Sequence, residues 1–116
     1  MIRQTTKYGA KKTSVDNILF DSKAEAEYYI GLKMLQKSGK VKYFELQPEY
    51  VLLDPYPDPA TGKMIRAIKY RADFLVRYPD GREEVVDVKG VRTETYKLKK
   101  KLFESRYGIP IKEVSA

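Results

Sequence analysis

The spacing of apolar residues along the chain predicts two helices. Over residues 22–38, four apolar residues recur at spacings of four, four and three, which places them on one stripe of a helix: Ala24, Tyr28, Leu32 and Leu35. Ser22 can cap the start of this helix, and Ser38-Gly39 ends it. The second helix is predicted over residues 94–107, after the capping residue Thr93. Its inward face is expected to consist of Leu98, Leu102 and Phe103.

Alternation of apolar and polar residues predicts a strand over residues 65–78. One face of this strand consists of Ile68, Tyr70, Ala72, Phe74, Val76 and Tyr78. Pro79-Asp80-Gly81 suits a three-residue hairpin turn with glycine in the left-handed position, which leads into a return strand over residues 83–89. Shorter strands are predicted over residues 18–20, 40–46, 49–53 and 110–114, with a Pro-rich loop over residues 54–64.

The predicted class is therefore α/β, with a core in the order α-β-β-β-α-β and a mixed β-sheet flanked by helices. A length of 116 residues fits one domain, here residues 18–116, preceded by a basic N-terminal arm over residues 1–17. No apolar run is long enough to span a membrane, so a soluble, cytoplasmic protein without a membrane partner is expected.

Composition narrows the chemistry. The chain has no cysteine and no histidine, which excludes disulfides, zinc ribbons, iron–sulfur clusters and a Ser-His-Asp triad. The net charge of +7 favours a polyanionic partner, usually nucleic acid. The alternative is that the excess charge only keeps the domain soluble.

The predicted hairpin places two carboxylates across from each other. With Tyr78 paired to Arg82, Asp73 lies opposite Asp87, and further along Ala72 lies opposite Val88 and Arg71 opposite Lys89. Two carboxylates this close repel each other unless a cation lies between them, and oxygen ligands without histidine or cysteine select Mg²⁺ or Mn²⁺. The alternative is a set of ordinary surface ion pairs, which are weak.

Three further groups can join this site. Lys89 lies two residues beyond Asp87, so the two side chains point the same way. Val88 points into the core, and its carbonyl is available as another oxygen ligand. Glu25 flanks the apolar stripe of the first helix and can lean over the edge of the sheet towards the carboxylates. Alternatively, Glu25 completes a capping box with Ser22.

This pattern resembles the PD-(D/E)XK nuclease superfamily, whose core has the same α-β-β-β-α-β order. The resemblance rests on Glu25, Asp73 and the run Asp87-Val88-Lys89, although Ala72 stands where the superfamily often has proline. Within the superfamily, Phe20-Asp21-Ser22-Lys23-Ala24-Glu25 followed by Gln47-Pro48 resembles a small phage and prophage family of uncharacterised function. This likeness covers about residues 7–114. A looser similarity extends to TnsA-type transposition endonucleases and Holliday junction resolvases.

The resemblance implies a Mg²⁺-dependent DNA endonuclease, with Mn²⁺ able to substitute, acting in phage DNA recombination or processing in the bacterial cytoplasm. It further implies that Asp73, Asp87 and the Val88 carbonyl bind the metal, that Glu25 helps to hold it, and that Lys89 acts on the attacking water and the transition state. Branched DNA is a plausible substrate, and cutting two strands would favour a homodimer.

A basic cluster on the second helix is the predicted DNA-binding surface. It consists of Lys97, Lys99, Lys100 and Lys101, and Gln47 is expected to orient a phosphate or a water. The alternatives are a solvated helix face for the lysines and a strand-end cap for Gln47. A non-catalytic DNA-binding module with the same fold remains the competing function, and an RNA-directed protein ranks below it because no RNP-like motif or GXXG loop is present.

Overall fold

The computed structural model describes residues 11–116, so most of the predicted basic arm over residues 1–17 lies outside the described residues. The described part of that arm contains strand β1 (Thr13–Val15), which pairs antiparallel with β2 (Ile18–Phe20). The turn between them uses Asp16 and Asn17 at φ values of 53° and 63°, which are typical of a two-residue hairpin. A hairpin therefore leads directly into the first helix.

Both predicted helices are present, as α1 (Lys23–Lys37) and α2 (Glu94–Tyr107). The predicted caps are confirmed, because the side-chain oxygen of Ser22 accepts the N–H of Glu25 at 3.1 Å and that of Thr93 accepts the N–H of Tyr96 at 3.1 Å. Helix α2 ends at Gly108, whose φ of 72° is a left-handed conformation that glycine adopts without strain.

The buried faces of the helices differ from the predicted ones. The buried residues of α1 are Glu25, Ala26, Tyr29 and Leu32, and those of α2 are Tyr96 and Phe103. The inward placement of Leu35, Leu98 and Leu102 is wrong, since all three are exposed. The predicted inward placement of Phe103 is confirmed, and aromatic residues rather than leucines dominate the buried positions. The ring of Tyr29 lies 5.0 Å from that of Phe20, and the ring of Phe103 lies 5.6 Å from that of Tyr70.

The remaining strands are β3 (Tyr43–Leu46), β4 (Glu49–Leu53), β5 (Tyr56–Pro57), β6 (Met64–Ile65), β7 (Ile68–Arg71), β8 (Phe74–Arg77), β9 (Glu83–Lys89) and β10 (Ile111–Ser115). The central sheet has the order β10-β9-β8-β3, with β9 and β10 parallel and the other pairs antiparallel. Without the β4–β7 insertion, the core reads α1-β3-β8-β9-α2-β10. The predicted α/β class and element order are confirmed.

The turn between β8 and β9 also matches its prediction. The N–H of Tyr78 donates to the Arg82 carbonyl at 2.8 Å, and Gly81 has a φ of 90°. Beyond the turn, Phe74 pairs with Val86 as expected. The predicted loop over residues 54–64 contains β5, and this strand pairs with β6 in a short hairpin.

The predicted single strand over residues 65–78 is instead two strands, β7 and β8, separated by a bend. In the β3–β8 ladder Leu46 pairs with Phe74, and in the β4–β7 ladder Glu49 pairs with Arg71, three positions further along each strand. Between the ladders, the N–H of Gln47 donates to the Asp73 carbonyl at 2.9 Å. Strands β3, β4, β7 and β8 therefore form one bent, two-stranded ribbon. The β3–β8 half pairs with β9 as far as Phe74, and the β4–β7 half turns away from β9.

Each face of the sheet packs against one helix. The α1 face is the buried cluster formed by Phe20, Ala26, Tyr29, Leu32, Val41, Phe74, Val76, Val86 and Val88. The α2 face is the cluster formed by Leu52, Tyr70, Ala72, Val85, Tyr96, Phe103 and Ile111. Neither helix is long and apolar enough to cross a membrane.

Candidate active site

The bend in the ribbon opens a gap beside β9, and Asp73 lies at the bend. Its N–H donates to the Val86 carbonyl at 3.0 Å, and its Oδ2 accepts the N–H of Val88 at 2.7 Å. In a regular ladder, the N–H of Val88 would donate to the Ala72 carbonyl. The ladder ends at Phe74–Val86. The predicted pairs Asp73–Asp87, Ala72–Val88 and Arg71–Lys89 are therefore not part of it, because β7 turns away to pair with β4. The Asp73 carboxylate takes over the role of the missing backbone acceptor.

The Val88 carbonyl faces the same gap. Within a strand, the N–H and C=O of one residue point to the same side, and the N–H of Val88 points at Asp73. A regular ladder would offer this carbonyl the N–H of Ala72, but that group donates to the Pro48 carbonyl at 3.1 Å. Because β7 turns away from β9, the N–H of Ala72 does not donate to the Val88 carbonyl, the backbone group that was predicted to bind the metal.

Asp87 lies next to this gap and is only 2% exposed. The hydroxyl of Tyr70 donates to its Oδ2, and the ammonium of Lys89 lies 3.3 Å from its Oδ1. Burial, reinforced by the charge of Asp87, raises the pKa of Tyr70, so its phenol stays protonated and remains a donor. The two oxygens of Asp87 therefore have different neighbours, one a buried phenol and the other a cation.

Lys89 is held from a second side by Tyr96, because its ammonium lies 4.0 Å from the centre of the Tyr96 ring. The Tyr96 hydroxyl donates to Glu113 at 2.7 Å, and Nε of Arg92 donates to the same carboxylate at 2.9 Å. Burial, together with the bond to Glu113, raises the pKa of Tyr96. That bond is also the main reason why the pKa of Glu113 is lowered. Tyr96 is therefore a buried support for Lys89.

Asp73, Asp87 and Lys89 line one cavity of about 140 Å³ at the bend. Its lining residues are Asp21, Gln47, Arg71, Ala72, Asp73, Asp87 and Lys89. The structure thus brings together four of the predicted site residues. An adjoining cavity of about 100 Å³ shares Gln47 and Asp73 and includes Glu25, which is 2% exposed. Glu25 therefore lies beside the main cavity, next to Asp73.

The sequence analysis missed two residues of the main cavity, Asp21 and Arg71. Asp21 directly precedes the cap of the helix that carries Glu25, and this position was the signal that could have identified it. Arg71 was expected opposite Lys89 on a straight strand. In the structure Arg71 is part of the cavity lining although β7 has turned away from β9, and no pattern in the sequence marks that bend.

The acidic residues around the two cavities do not come together as a set of three or more metal ligands. Within residues 11–116, no group of three or more histidine, cysteine, aspartate or glutamate side chains is placed to hold a metal ion. Of the predicted ligands, Asp73 and Asp87 line one cavity with the Val88 carbonyl directed to the same gap, whereas Glu25 lines the neighbouring cavity.

The four lysines predicted to bind DNA do not form a single patch. Lys97, Lys100 and Lys101 line a shallow groove beside α2, and Lys99 is absent from it. Two of the three also have acidic partners: Lys97 lies 3.1 Å from Glu94, and Lys100 lies 3.8 Å from Glu104. The cationic character of this helix is therefore partly offset by its own glutamates.

Comparison with known families places the chain. Residues 5–113 match the family described as "Protein of unknown function (DUF1064)", and the chain belongs to that family. No curated protein matches the chain. No solved structure matches it either.

Proposed function

We propose that this DUF1064 protein is a metal-dependent DNA endonuclease of the PD-(D/E)XK type, which hydrolyses phosphodiester bonds. The observation that carries the proposal is the cavity at the bend, which Asp73, Asp87 and Lys89 line together. Two carboxylates and an ammonium at the end of adjacent strands are the groups that metal-assisted phosphoryl hydrolysis requires.

The donor set suits a hard divalent cation. Mg²⁺ is commonly held by one or two carboxylates and completes its shell with waters and substrate phosphates. Asp73 and Asp87 would supply the carboxylates and Val88 its carbonyl, with Mn²⁺ able to substitute. When bound, such an ion supplies positive charge that stabilises the phosphoryl transition state and lowers the pKa of water.

The protein's own groups would do the remaining work. Lys89, placed by Asp87 at 3.3 Å and by the ring of Tyr96 at 4.0 Å, presents a point charge that can orient the attacking water and neutralise a phosphate oxygen. Gln47 is exposed at the rim of the cavity and can donate to a phosphate or a water. Glu25, in the adjoining cavity, can accept from a water on the Asp73 side.

The wider biological role also belongs to this proposal. Resemblance to phage and prophage proteins supports action in phage DNA recombination or processing within the bacterial cytoplasm. Branched DNA such as a Holliday junction is the preferred substrate under this hypothesis, and a homodimer would deliver cuts in two strands.

The test is a cleavage panel of labelled duplex, single strand, flap and four-way junction in Mg²⁺, Mn²⁺ or EDTA. Wild type is compared with Asp87→Ala, with the isosteric Asp87→Asn, and with Glu27→Ala on the exposed side of α1 as a matched control. We expect metal-dependent cutting by wild type and the control, and its loss in both Asp87 variants.

Two results would overturn the proposal. Cleavage by folded Asp87→Asn at the wild-type rate would remove Asp87 from the chemistry. Salt-sensitive DNA binding without cutting of any substrate would favour the non-catalytic DNA-binding module. Circular dichroism of each variant shows whether a lost activity reflects a lost fold.

A further inference from the structure

Ion pairing separates the arginines of residues 11–116 into two groups. Those on the β8–β9 hairpin, before α2 and at its end have acidic partners: Arg77 with Glu83, Arg82 with Asp80 and Glu84, Arg92 with Glu113, and Arg106 with Asp54. Arg66 and Arg71 form no salt bridge with any described residue, and both are exposed. Of these two arginines, Arg71 lies on strand β7 of the bent ribbon, and Arg66 lies in the connection that leads into β7.

The two arginines lie at different distances along the chain from the candidate active site. Arg71 lines the cavity with Asp73, Asp87 and Lys89. Arg66 and Lys69 line an open groove, together with the apolar residues Met64 and Ile65 and with Asp54, whose carboxylate pairs with Arg106. Strand β7 alternates, so Lys69 and Arg71 are exposed while Tyr70 between them is buried. A row of cations thus runs from Arg71 at the cavity, along β7 to Lys69, and on to Arg66, which shares a groove with Lys69.

Lys69 adds to this row with little compensation. Its ammonium lies 4.0 Å from Glu49, and both side chains are 55% exposed. Exposed ion pairs of this kind are weak and easily exchanged for another anion. Like charges along one strand repel each other, and a polyanion laid beside them removes that repulsion.

The dimensions of the row match a nucleic-acid backbone. Arg71 follows Arg66 by five positions, which span at most about 18 Å of chain. Each strand of B-DNA carries one phosphate per about 3.4 Å of helix axis, so this length covers several phosphates. Guanidinium groups bind phosphate oxygens in a bidentate manner, which suits arginine to this role.

We infer that Arg71, Lys69 and Arg66 form a phosphate-binding row that holds the DNA backbone beside the cavity. This inference rests on the proposed function and extends it by naming the surface that receives the substrate. It assigns the main backbone contact to the ribbon, in contrast to the α2 lysines that the sequence favours.

The experiment measures DNA binding by the full chain, using fluorescence anisotropy of a labelled duplex at several NaCl concentrations with EDTA present. Arg66→Gln/Arg71→Gln is compared with Arg77→Gln/Arg82→Gln, which loses the same net charge from arginines that have acidic partners. We expect the ribbon variant to lower the slope of log K against log[NaCl] by about 1.8, since each phosphate contact contributes about 0.9. The control should change the slope by less than half of that amount.

Three other results are distinguishable: two would overturn the inference, and one would overturn the proposed function. Equal slopes for the two double variants would overturn the inference, because net charge alone would then explain binding. A loss confined to Lys97→Gln/Lys101→Gln would also overturn it and place the contact on α2. If wild type shows no salt-dependent binding to DNA, the proposed function itself fails, a result that is distinct from the other two.

Discussion

The two faces of the sheet use the same strands for different purposes. The α1 face is built mainly from aliphatic and phenylalanine side chains, and its buried tyrosine, Tyr29, donates its hydroxyl to the exposed Asp16, away from the candidate active site. The α2 face carries the buried tyrosines Tyr70 and Tyr96, and their hydroxyls donate to Asp87 and Glu113. Strand β9 contributes to both, since Val86 and Val88 lie on the α1 face while Val85 lies on the α2 face.

This difference shows how a small domain can bury acids without a large polar core. A buried carboxylate is costly unless donors surround it, and a tyrosine brings a donor on an apolar ring that also fills the core. The α2 face can therefore hold Asp87 at 2% exposure, with the Tyr70 hydroxyl as donor and the Tyr70 ring packed against Phe103. The α1 face supplies the packing that keeps β9 in place.

The largest expected effect is a loss of cleavage activity, and two substitutions on β9 test whether it belongs to one face of the sheet. Lys89→Met should lower cleavage by about 100- to 1000-fold, because it removes a charge from the transition state while keeping the length of the side chain. Val86→Ala, on the α1 face, should destabilise the fold by about 2 kcal/mol and leave the cleavage rate per folded molecule close to wild type. Cleavage kinetics and urea unfolding measure the two effects. The reverse pattern would show that the faces are not specialised in this way.

The comparison also explains what the sequence could predict. Both helices, their caps and the β8–β9 turn depend on local rules, and the structure contains all of them. Because the turn sets the register, the pairing was correct as far as Phe74 and Val86. The ladder ends there, and Asp73 still reaches the cavity of Asp87 and Lys89 because its carboxylate accepts the N–H of Val88.

The bend at Ala72 and Asp73 was missed because it leaves the apolar pattern intact. Tyr70 and Ala72 are buried on the α2 face, whereas Phe74 and Val76 are buried on the α1 face. Alternation reports that a residue is buried, but not which helix covers it. A change from one face to the other is therefore invisible in the sequence, and so are the contacts of Tyr70 and Arg71 that depend on it.

The second prediction concerns the Tyr70 hydroxyl, through which the α2 face contacts Asp87. Tyr70→Phe removes the donor to Asp87 and keeps the ring, so we expect metal affinity or cleavage to fall by about 10- to 100-fold. Tyr50→Phe is the matched control. Its ring stacks 6.4 Å from that of Tyr70, and its buried hydroxyl has no hydrogen-bond partner in the described part of the chain. Mn²⁺ titration followed by electron paramagnetic resonance gives the affinity without any substrate.

Two results would contradict this prediction. Equal affinities for Tyr70→Phe and wild type would mean that the phenol only fills space. An equal loss in Tyr50→Phe would mean that the aromatic cluster as a whole, rather than the bond to Asp87, controls the site.

The smallest effect concerns the pH dependence of the support for Lys89. The Tyr96 hydroxyl and Arg92 hold the pKa of Glu113 below its ordinary value of 4.5. A carboxylate with a lowered pKa stabilises the fold above that ordinary value, and the stabilisation is lost as the pH falls through the lower pKa of the folded state. Glu113→Gln should therefore cost about 1–2 kcal/mol at pH 7 and progressively less below pH 4.5.

Urea unfolding at pH 7 and pH 3 measures this cost, with Glu27→Gln on the exposed side of α1 as the control at both values. A penalty for Glu113→Gln that is the same at pH 3 and pH 7 would show that the charge of Glu113 does not stabilise the α2 face. A penalty confined to neutral pH would instead tie the stability of this face to an ionised Glu113. The ring that supports Lys89 would then be anchored by charge as well as by packing.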